Sequence, residues 1–176
     1  MGCYHVVTCM TRVLTLLILL QAPLSAQDAL VQESPVIHQF IGAWEGRGDL
    51  FGSDAAFSMK WDWVLGQQFV RLTFENRMQG PNDVDRTLQA QAFYKPVGAG
   101  QLEGTWFDSR GIVLPLLGSI EPTTLTTLWG TPATEQGRTV YRLLDEGQIK
   151  VEDFVLKGDQ WHKFGQAIYR RVASNR

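Results

Sequence analysis

The stretch FIGAWEGRGDLFG, residues 40–52, decides the fold, because it places glycines inside what otherwise reads as a first strand. Glycine within a strand marks a sharp bend or a close approach of two backbones. Strands that close a small barrel need such bends, and Gly46 and Gly48 meet that need. Trp44, just before them, is predicted to plug the closed end of the barrel beneath a short helix. The stretch therefore predicts the first strand of a β-barrel.

Beyond this stretch, apolar and polar residues alternate with a period of two, as they do in half-buried strands. Phe57, Met59, Trp61 and Trp63 are separated by single polar residues. Asn, Asp and Gly residues, which favour turns, stand between this run and the later ones like it. The sequence predicts about ten strands, at residues 44–51, 57–65, 69–75, 87–95, 102–108, 113–120, 124–129, 138–144, 148–156 and 163–171.

Ten short strands joined by tight turns predict an all-β fold. We expect a closed or nearly closed antiparallel up-and-down barrel, because closure removes the two open edges of a long meander. A β-sandwich is the alternative arrangement. A short N-terminal helix is predicted at residues 35–41, because Ser34 can cap it and Pro35 suits the first helical position. A barrel of this size can enclose a single small ligand.

The first 26 residues have the composition of a secretory signal peptide. One basic residue, Arg12, precedes the apolar run 13–20, and small residues lead to Ala26. As a helix this run spans about 12 Å, far less than a bilayer core of roughly 30 Å, although a membrane anchor is the alternative. We expect cleavage after Ala26 and a periplasmic or secreted protein, and translation from Met10 instead of Met1 stays open. The predicted organisation is a signal peptide at 1–26, a flexible segment at 27–34, a barrel domain at 35–173 and a tail at 174–176.

Both cysteines, Cys3 and Cys9, lie in the predicted signal peptide. The mature chain would then have no thiol for a disulfide, an iron–sulfur cluster or a cysteine nucleophile. Removal of Arg12 leaves 15 basic against 18 acidic residues, a net charge of about −3. This charge does not provide the excess of basic residues that is typical of nucleic-acid-binding proteins. We expect no nucleic-acid partner and no stable membrane insertion after cleavage, and the number of subunits stays open.

Gly42-Ala-Trp44 resembles the Gly-x-Trp signature of the lipocalin and wider calycin group. In that group an arginine from the last strand lies across the tryptophan ring, and Arg170 and Arg171 stand at the end of the last strand here. A guanidinium over an indole face contributes about 0.5–2 kcal/mol. The resemblance implies a structural closure of the barrel. The residues assigned to it are Gly42, Trp44, Gly46, Gly48 and Arg170.

Longer patterns resemble two kinds of barrel. WEGRG at 44–48, WVLGQQFVRLTFE at 63–75 and GTWFDSRG at 104–111 resemble a bacterial family of calycin-like β-barrels of unknown function. The first pattern is also similar to the Trp-x-Gly-x-Gly of nitrobindin-like barrels. The resemblance spans residues 40–172 and implies a calycin-like barrel over nearly the whole mature chain.

Nitrobindin-like proteins bind ferric haem through one histidine in the last strand, three residues before an alanine. Here Phe164 stands three residues before Ala167, and phenylalanine cannot ligate iron. His162 lies two residues earlier, on the same face of a regular strand and displaced by about 6.6 Å. Haem held by His162 is therefore an alternative. Otherwise we expect no cofactor and no metal.

Alternation also predicts which side chains point into the barrel, although a slip by one residue reverses a whole strand. A mostly apolar lining with a few polar groups is typical of a small-molecule site. The leading hypothesis is thus a small, largely apolar ligand, and the alternative is a filled barrel that acts as a structural or interaction module. Arg170 shares the predicted inward parity of Ile168. The residues predicted to bind the ligand are Phe57, Met59, Trp61, Trp63, Leu72, Phe74, Tyr94, Trp106, Asp108, Trp129, Val151, Asp153, Gln166 and Ile168.

The sequence shows no recognisable catalytic constellation. Neither histidine of the mature chain lies near a Gly-x-Ser-x-Gly turn, and no cluster or loop predicts a zinc, phosphate or calcium site. Asp108 and Asp153 would serve as general acid and base if they met inside the barrel and one had a raised pKa. We therefore predict a binding protein with no catalytic residues.

Overall fold

Ten antiparallel strands close into a barrel in a computed structural model that describes residues 35–79 and 85–173. Each strand pairs with its neighbours along the chain, and β1 pairs with β10 to close the ring. This confirms the predicted all-β up-and-down barrel. The predicted signal peptide at 1–26, the segment 27–34 and the tail 174–176 lie outside the described residues. The strands are β1 (Gly42–Leu50), β2 (Ser53–Val64), β3 (Phe69–Gln79), β4 (Asp85–Gly98), β5 (Gln101–Asp108), β6 (Val113–Glu121), β7 (Thr124–Trp129), β8 (Gly137–Leu144), β9 (Gln148–Lys157) and β10 (Gln160–Arg171).

The short helix α1 (Pro35–Phe40) packs against one end of the barrel, which we call the helix end. Ile37 and Phe40 are fully buried, and the Phe40 ring lies 5.8 Å from the ring of Trp61. The opposite end carries the β1–β2, β5–β6, β7–β8 and β9–β10 turns, and we call it the loop end. In the described ranges, no helix is both long and apolar enough to cross a membrane.

Trp44 and Arg171 close the helix end. The guanidinium carbon of Arg171 lies 4.2 Å from the centre of the Trp44 ring, and Arg171 Nη2 donates to the Gln39 carbonyl at 2.6 Å. Trp44 is 1% exposed, and its Nε1 donates to the Phe40 carbonyl at 2.7 Å. The arginine of this closure is therefore Arg171, and the prediction of Arg170 at this position is wrong.

An irregularity in β10 explains this difference of one residue. The pairing of β10 with β9 shifts register between Lys163 and Gly165, as in a β-bulge. Phe164 packs against the core, and Gly165 directly after it is buried as well. From there the inward positions are Gly165, Ala167 and Tyr169, and the last two are 5% and 2% exposed. The bulge thus reverses the inward parity of the second half of β10.

Three predicted inward residues follow this bulge and are exposed: Gln166, Ile168 and Arg170. Ile168, for example, is 38% exposed. The prediction that they face inward is wrong. The physical reason is that one extra residue in a strand moves every later side chain to the opposite face of the sheet.

Glycines in β1 lie where other atoms approach its backbone. A Cβ added at Gly46 would lie 2.9 Å from the ring of Tyr169. A Cβ added at Gly48 would lie 1.9 Å from the carbonyl oxygen of Gln166 on β10. Gly42, at a φ of +127°, leaves the space that the closing guanidinium occupies. These glycines therefore allow β10 to approach β1 closely enough to close the barrel.

Candidate ligand-binding site

Aromatic rings fill the part of the barrel next to α1. Trp61 is 0% exposed and Tyr94 is 1% exposed. The Trp61 ring stacks on Tyr94 at 5.7 Å and meets Tyr141 edge-on at 5.3 Å. Such arrangements are favourable for aromatic pairs, and they bury the large side chains completely. This part of the interior is therefore hydrophobic core.

From the middle of the barrel to the loop end, inward aromatic residues keep part of their surface accessible. Phe74, Trp106, Trp129 and Phe164 are only partly buried, although each packs against the core. The Phe74 and Trp106 rings are 6.0 Å apart, and the Trp129 and Phe164 rings are 6.5 Å apart. This part of the interior thus has an aromatic lining that keeps some solvent-accessible surface.

The predicted ligand-binding residues that face inward are spread over the whole length of the barrel. Those toward the helix end are Trp61, Trp63, Leu72 and Tyr94. Those in the middle are Phe57, Met59, Phe74 and Val151. Those toward the loop end are Trp106, Asp108, Trp129 and Asp153.

Asp108 is held by Arg110 of the β5–β6 turn and by Trp106 of β5. Its carboxylate accepts hydrogen bonds from Arg110 Nη2 at 2.7 Å and from Trp106 Nε1 at 3.1 Å. Burial by itself would raise the pKa of Asp108, but the hydrogen bonds from Arg110 and Trp106 outweigh burial and lower the pKa from 3.8 to about 2. The negative charge of Asp108 is therefore already compensated within the turn.

Asp153 faces the interior with one hydrogen-bond donor and no cation among the described residues. Thr139 Oγ1 donates to Asp153 Oδ1 at 2.6 Å. Burial raises the pKa of Asp153 from 3.8 to about 6, because the Thr139 bond offsets only part of the lost hydration. Oδ2 lies 3.3 Å from where a Cβ would stand at Gly165, so a side chain at that position would crowd the carboxylate.

Asp108 and Asp153 have separate hydrogen-bond partners in this structure. Thr139 donates to Asp153, whereas Arg110 and Trp106 donate to Asp108. Among the described residues no hydrogen bond joins the two carboxylates, and their role as an acid–base pair stays a prediction.

Four residues near Asp153 were missing from the predicted set: Thr139, Tyr141, Phe164 and Tyr169. Burial raises the pKa of Tyr141 and of Tyr169 well above 10, and the charge of Asp153 raises both further. Thr139 and Tyr141 alternate along β8, so the period-two pattern contained a signal for them. The bulge in β10 hid the other two.

A groove of about 840 Å³ lies on the outer face of strands β1–β5. Its lining combines polar side chains such as Lys60 and Thr73 with the rings of Phe93 and Phe107, which are 6.5 Å apart. The groove is open, and its outward polar side chains are solvated. We place the candidate site in the interior instead, because an apolar lining with an uncompensated polar group at Asp153 is the more usual composition of a ligand site.

His162 lies at the loop end of β10, opposite Val155, and its side chain is exposed. Gly137 on β8 pairs with Val155. The Trp129 ring covers Gly137 so closely that a Cβ added to Gly137 would lie 1.9 Å from the ring. The imidazole of His162 is exposed in this structure, and haem held by His162 stays an untested alternative. In the described part of the chain, no three His, Cys, Asp or Glu side chains are grouped to hold a metal ion.

Comparisons with known proteins support the fold. No protein-family model matches the chain, and no curated protein matches it. Among solved structures, the crystal structure of Rv2717c from M. tuberculosis is similar, with a TM-score of 0.56 and 13% sequence identity. The similarity covers 79% of this chain and 98% of that chain. At this identity it supports a shared β-barrel fold.

Proposed function

We propose that this protein binds a small, largely apolar ligand between the middle and the loop end of its barrel. The observation that carries the proposal is the partly accessible aromatic lining formed by Trp106, Trp129 and Phe164. Apolar surface left in contact with water costs about 25 cal/mol per Å², so an apolar ligand that covers these rings gains that free energy. A closed barrel of ten strands is compatible with such binding.

The proposal includes a periplasmic or secreted location, supported by the predicted signal peptide at 1–26. Export before binding would give the mature barrel access to ligands outside the cytoplasm. The first residue of the exported protein tests this point. Sequencing from the amino terminus should return Gln27, and a chain that keeps its leader would contradict export by cleavage after Ala26.

Native mass spectrometry tests the binding itself. The protein is expressed from its full-length gene with its own leader and purified without detergent. We expect one small molecule as added mass, lost on denaturation and identifiable in an organic extract. A protein at its bare mass that also fails to bind 1-octanol in a calorimetric titration would overturn the proposal and favour a filled structural or interaction module.

An absorbance scan of the same sample distinguishes the haem alternative. A colourless protein with added mass supports the apolar ligand. A Soret band that disappears in His162→Ala would instead identify haem as the bound molecule, and the proposed ligand class would be wrong.

A further inference from the structure

Among the described residues, Asp153 is a carboxylate near the loop end of the interior that has no positively charged partner. Asp153 has Thr139 as its hydrogen-bond donor and forms no ion pair with any described residue. Its neighbour along β9, Glu152, lies on the outer face and pairs with Lys150 at 3.1 Å and Lys163 at 3.5 Å. A buried charge is costly unless a partner compensates it, so the isolation of Asp153 calls for a partner that the described residues do not supply.

Asp153 is only partly buried, so part of its surface stays accessible. Gly165 stands opposite Asp153 on β10, and Oδ2 lies 3.3 Å from where a Cβ of Gly165 would stand. The Leu50 side chain borders the same position, because its Cδ1 lies 3.2 Å from that Cβ. A side chain at Gly165 would therefore crowd the carboxylate, and the glycine keeps it partly accessible beside an apolar neighbour.

Aromatic rings lie near this carboxylate. Phe164 directly precedes Gly165 and meets the Trp129 ring edge-on at 6.5 Å. The negative faces of such rings attract cations, and the rings also bury apolar groups. A carboxylate beside aromatic rings is the arrangement that suits a cationic nitrogen attached to an apolar body.

We propose that the ligand of this barrel is a protonated amine with an apolar body, and that its ammonium group pairs with the carboxylate of Asp153. This inference rests on the proposed function, because it names the polar end of the same ligand. The apolar body lies against Trp129 and Phe164, and Thr139 holds the carboxylate in place through its hydrogen bond.

The groups that face Asp153 define how this pairing responds to pH. Thr139 and Tyr141 face it from β8, Tyr169 from β10, and Leu50 borders its space from β1. Burial keeps the pKa of both tyrosines well above 10, so they stay uncharged near neutral pH. Preference for the amine should therefore follow the protonation of Asp153 and weaken as the pH falls below about 6.

Three probes with the same eight-carbon body test the inference: 1-octylamine, 1-octanol and octanoate. Each is titrated calorimetrically into the exported full chain after any co-purified ligand has been extracted, at about pH 7.5, where the amine is protonated and Asp153 ionised. We expect the amine to bind at least about tenfold more tightly than the alcohol, because a charge-assisted hydrogen bond replaces a neutral one. Octanoate should bind more weakly than the alcohol, because like charges repel.

Two variants separate the role of Asp153 from a general charge effect. Asp153→Asn should abolish the preference for the amine and keep binding of the alcohol, which also shows that the barrel is folded. Glu152→Gln removes the same charge from the outer face of the same strand and should keep the preference.

The possible failures are distinguishable. Binding of the alcohol without preference for the amine, or a preference that survives Asp153→Asn, overturns the amine and leaves the proposed function standing. If octanoate binds most tightly of the three probes, the proposal of an amine ligand is also wrong. Failure of all three probes to bind contradicts the proposed function, and the inference falls with it.

Discussion

Asp108 and Asp153 both face the interior, yet their pKa values move in opposite directions. Arg110 and Trp106 donate to Asp108, so its pKa is lowered to about 2 despite burial. Among the described residues, Thr139 is the donor to Asp153, and burial raises its pKa to about 6. A neutral hydroxyl stabilises a carboxylate less than a guanidinium does. At the residue scale, the partners of a carboxylate rather than its position inside the barrel decide its chemistry.

The raised pKa of Asp153 makes the free energy of unfolding depend on pH. The folded state favours the protonated carboxyl of Asp153, and this preference contributes to the free energy of unfolding. The contribution is complete below the ordinary pKa of 3.8 and is lost as the pH rises through about 6. The loss amounts to at most about 3 kcal/mol. We expect Asp153→Asn to remove this pH-dependent loss. Urea unfolding should therefore show that the variant gains stability relative to the unmodified protein between about pH 4 and pH 7.5.

Glu152→Gln is the control for this measurement. Lys150 and Lys163 lower the pKa of Glu152 despite its burial, so this variant should lose relative stability as the pH rises. If the free energy of unfolding of Asp153→Asn depended on pH as it does in the unmodified protein, the prediction would be wrong.

Arg171 should contribute to stability and Arg170 should not. Arg171→Ala removes a cation–π contact at 4.2 Å and a hydrogen bond to Gln39, and we expect a loss of about 1–3 kcal/mol. Arg170→Ala removes an exposed side chain and should change stability by less than about 0.5 kcal/mol. Denaturant unfolding of both variants measures the difference, and equal losses would argue against the closure described here.

At the scale of the elements, β1 and β10 deviate from regular strands where they meet. Glycines leave β1 without side chains at the positions where the Tyr169 ring and the backbone of β10 approach it. A bulge at Phe164 shifts β10 so that the small residues Gly165 and Ala167 turn inward. Closing a sheet into a small barrel requires such local departures, because regular strands do not bend sharply enough.

Gly48→Ala should weaken the β1–β10 seam. Its Cβ would meet the carbonyl of Gln166 at 1.9 Å, so the backbone must move, and we expect a loss of about 2–3 kcal/mol. Gly158→Ala is the matched control, because nothing lies near its Cβ and the cost comes from a φ of +59°, about 1 kcal/mol. Thermal unfolding compares the two, and an equal or smaller effect at Gly48 would contradict the close approach.

At the scale of the whole molecule, the barrel is filled at one end and accessible at the other. Trp61, Tyr94 and Tyr141 pack into one another beneath α1, which makes the helix end the stable base. Trp106 and Trp129 stay partly accessible toward the loop end.

Trp129→Leu should weaken binding of 1-octanol about tenfold, because it removes apolar contact surface from the proposed site. Trp161→Leu is the matched control, since Trp161 is 38% exposed and packs over Arg138 on the outer face. Calorimetric titration gives both affinities, and circular dichroism confirms that both variants are folded. Equal affinities for the two variants would place the ligand outside the loop-end lining.

The strands and most of the lining were predictable because they depend on local patterns. Alternation along β2 and β4 correctly predicted that Trp61 and Tyr94 face inward. The same rule failed in β10, because the bulge at Phe164 goes with ring contacts to Phe51 and Trp129, which lie far away in the chain. A period-two pattern carries no information about such contacts.

The all-β barrel, the order of its strands and the role of the glycines in β1 could be predicted from local patterns, because turn propensity and alternation act between near neighbours. It also contained Arg110, the partner of Asp108, two residues further along the chain. Only contacts between distant residues show that Arg171 closes the barrel and that Asp153 is partly buried without a cation among the described residues. The closure by Arg171 and the missing partner of Asp153 both depend on which distant residues come into contact when the sheet closes. These contacts also determine whether a buried charge has a partner.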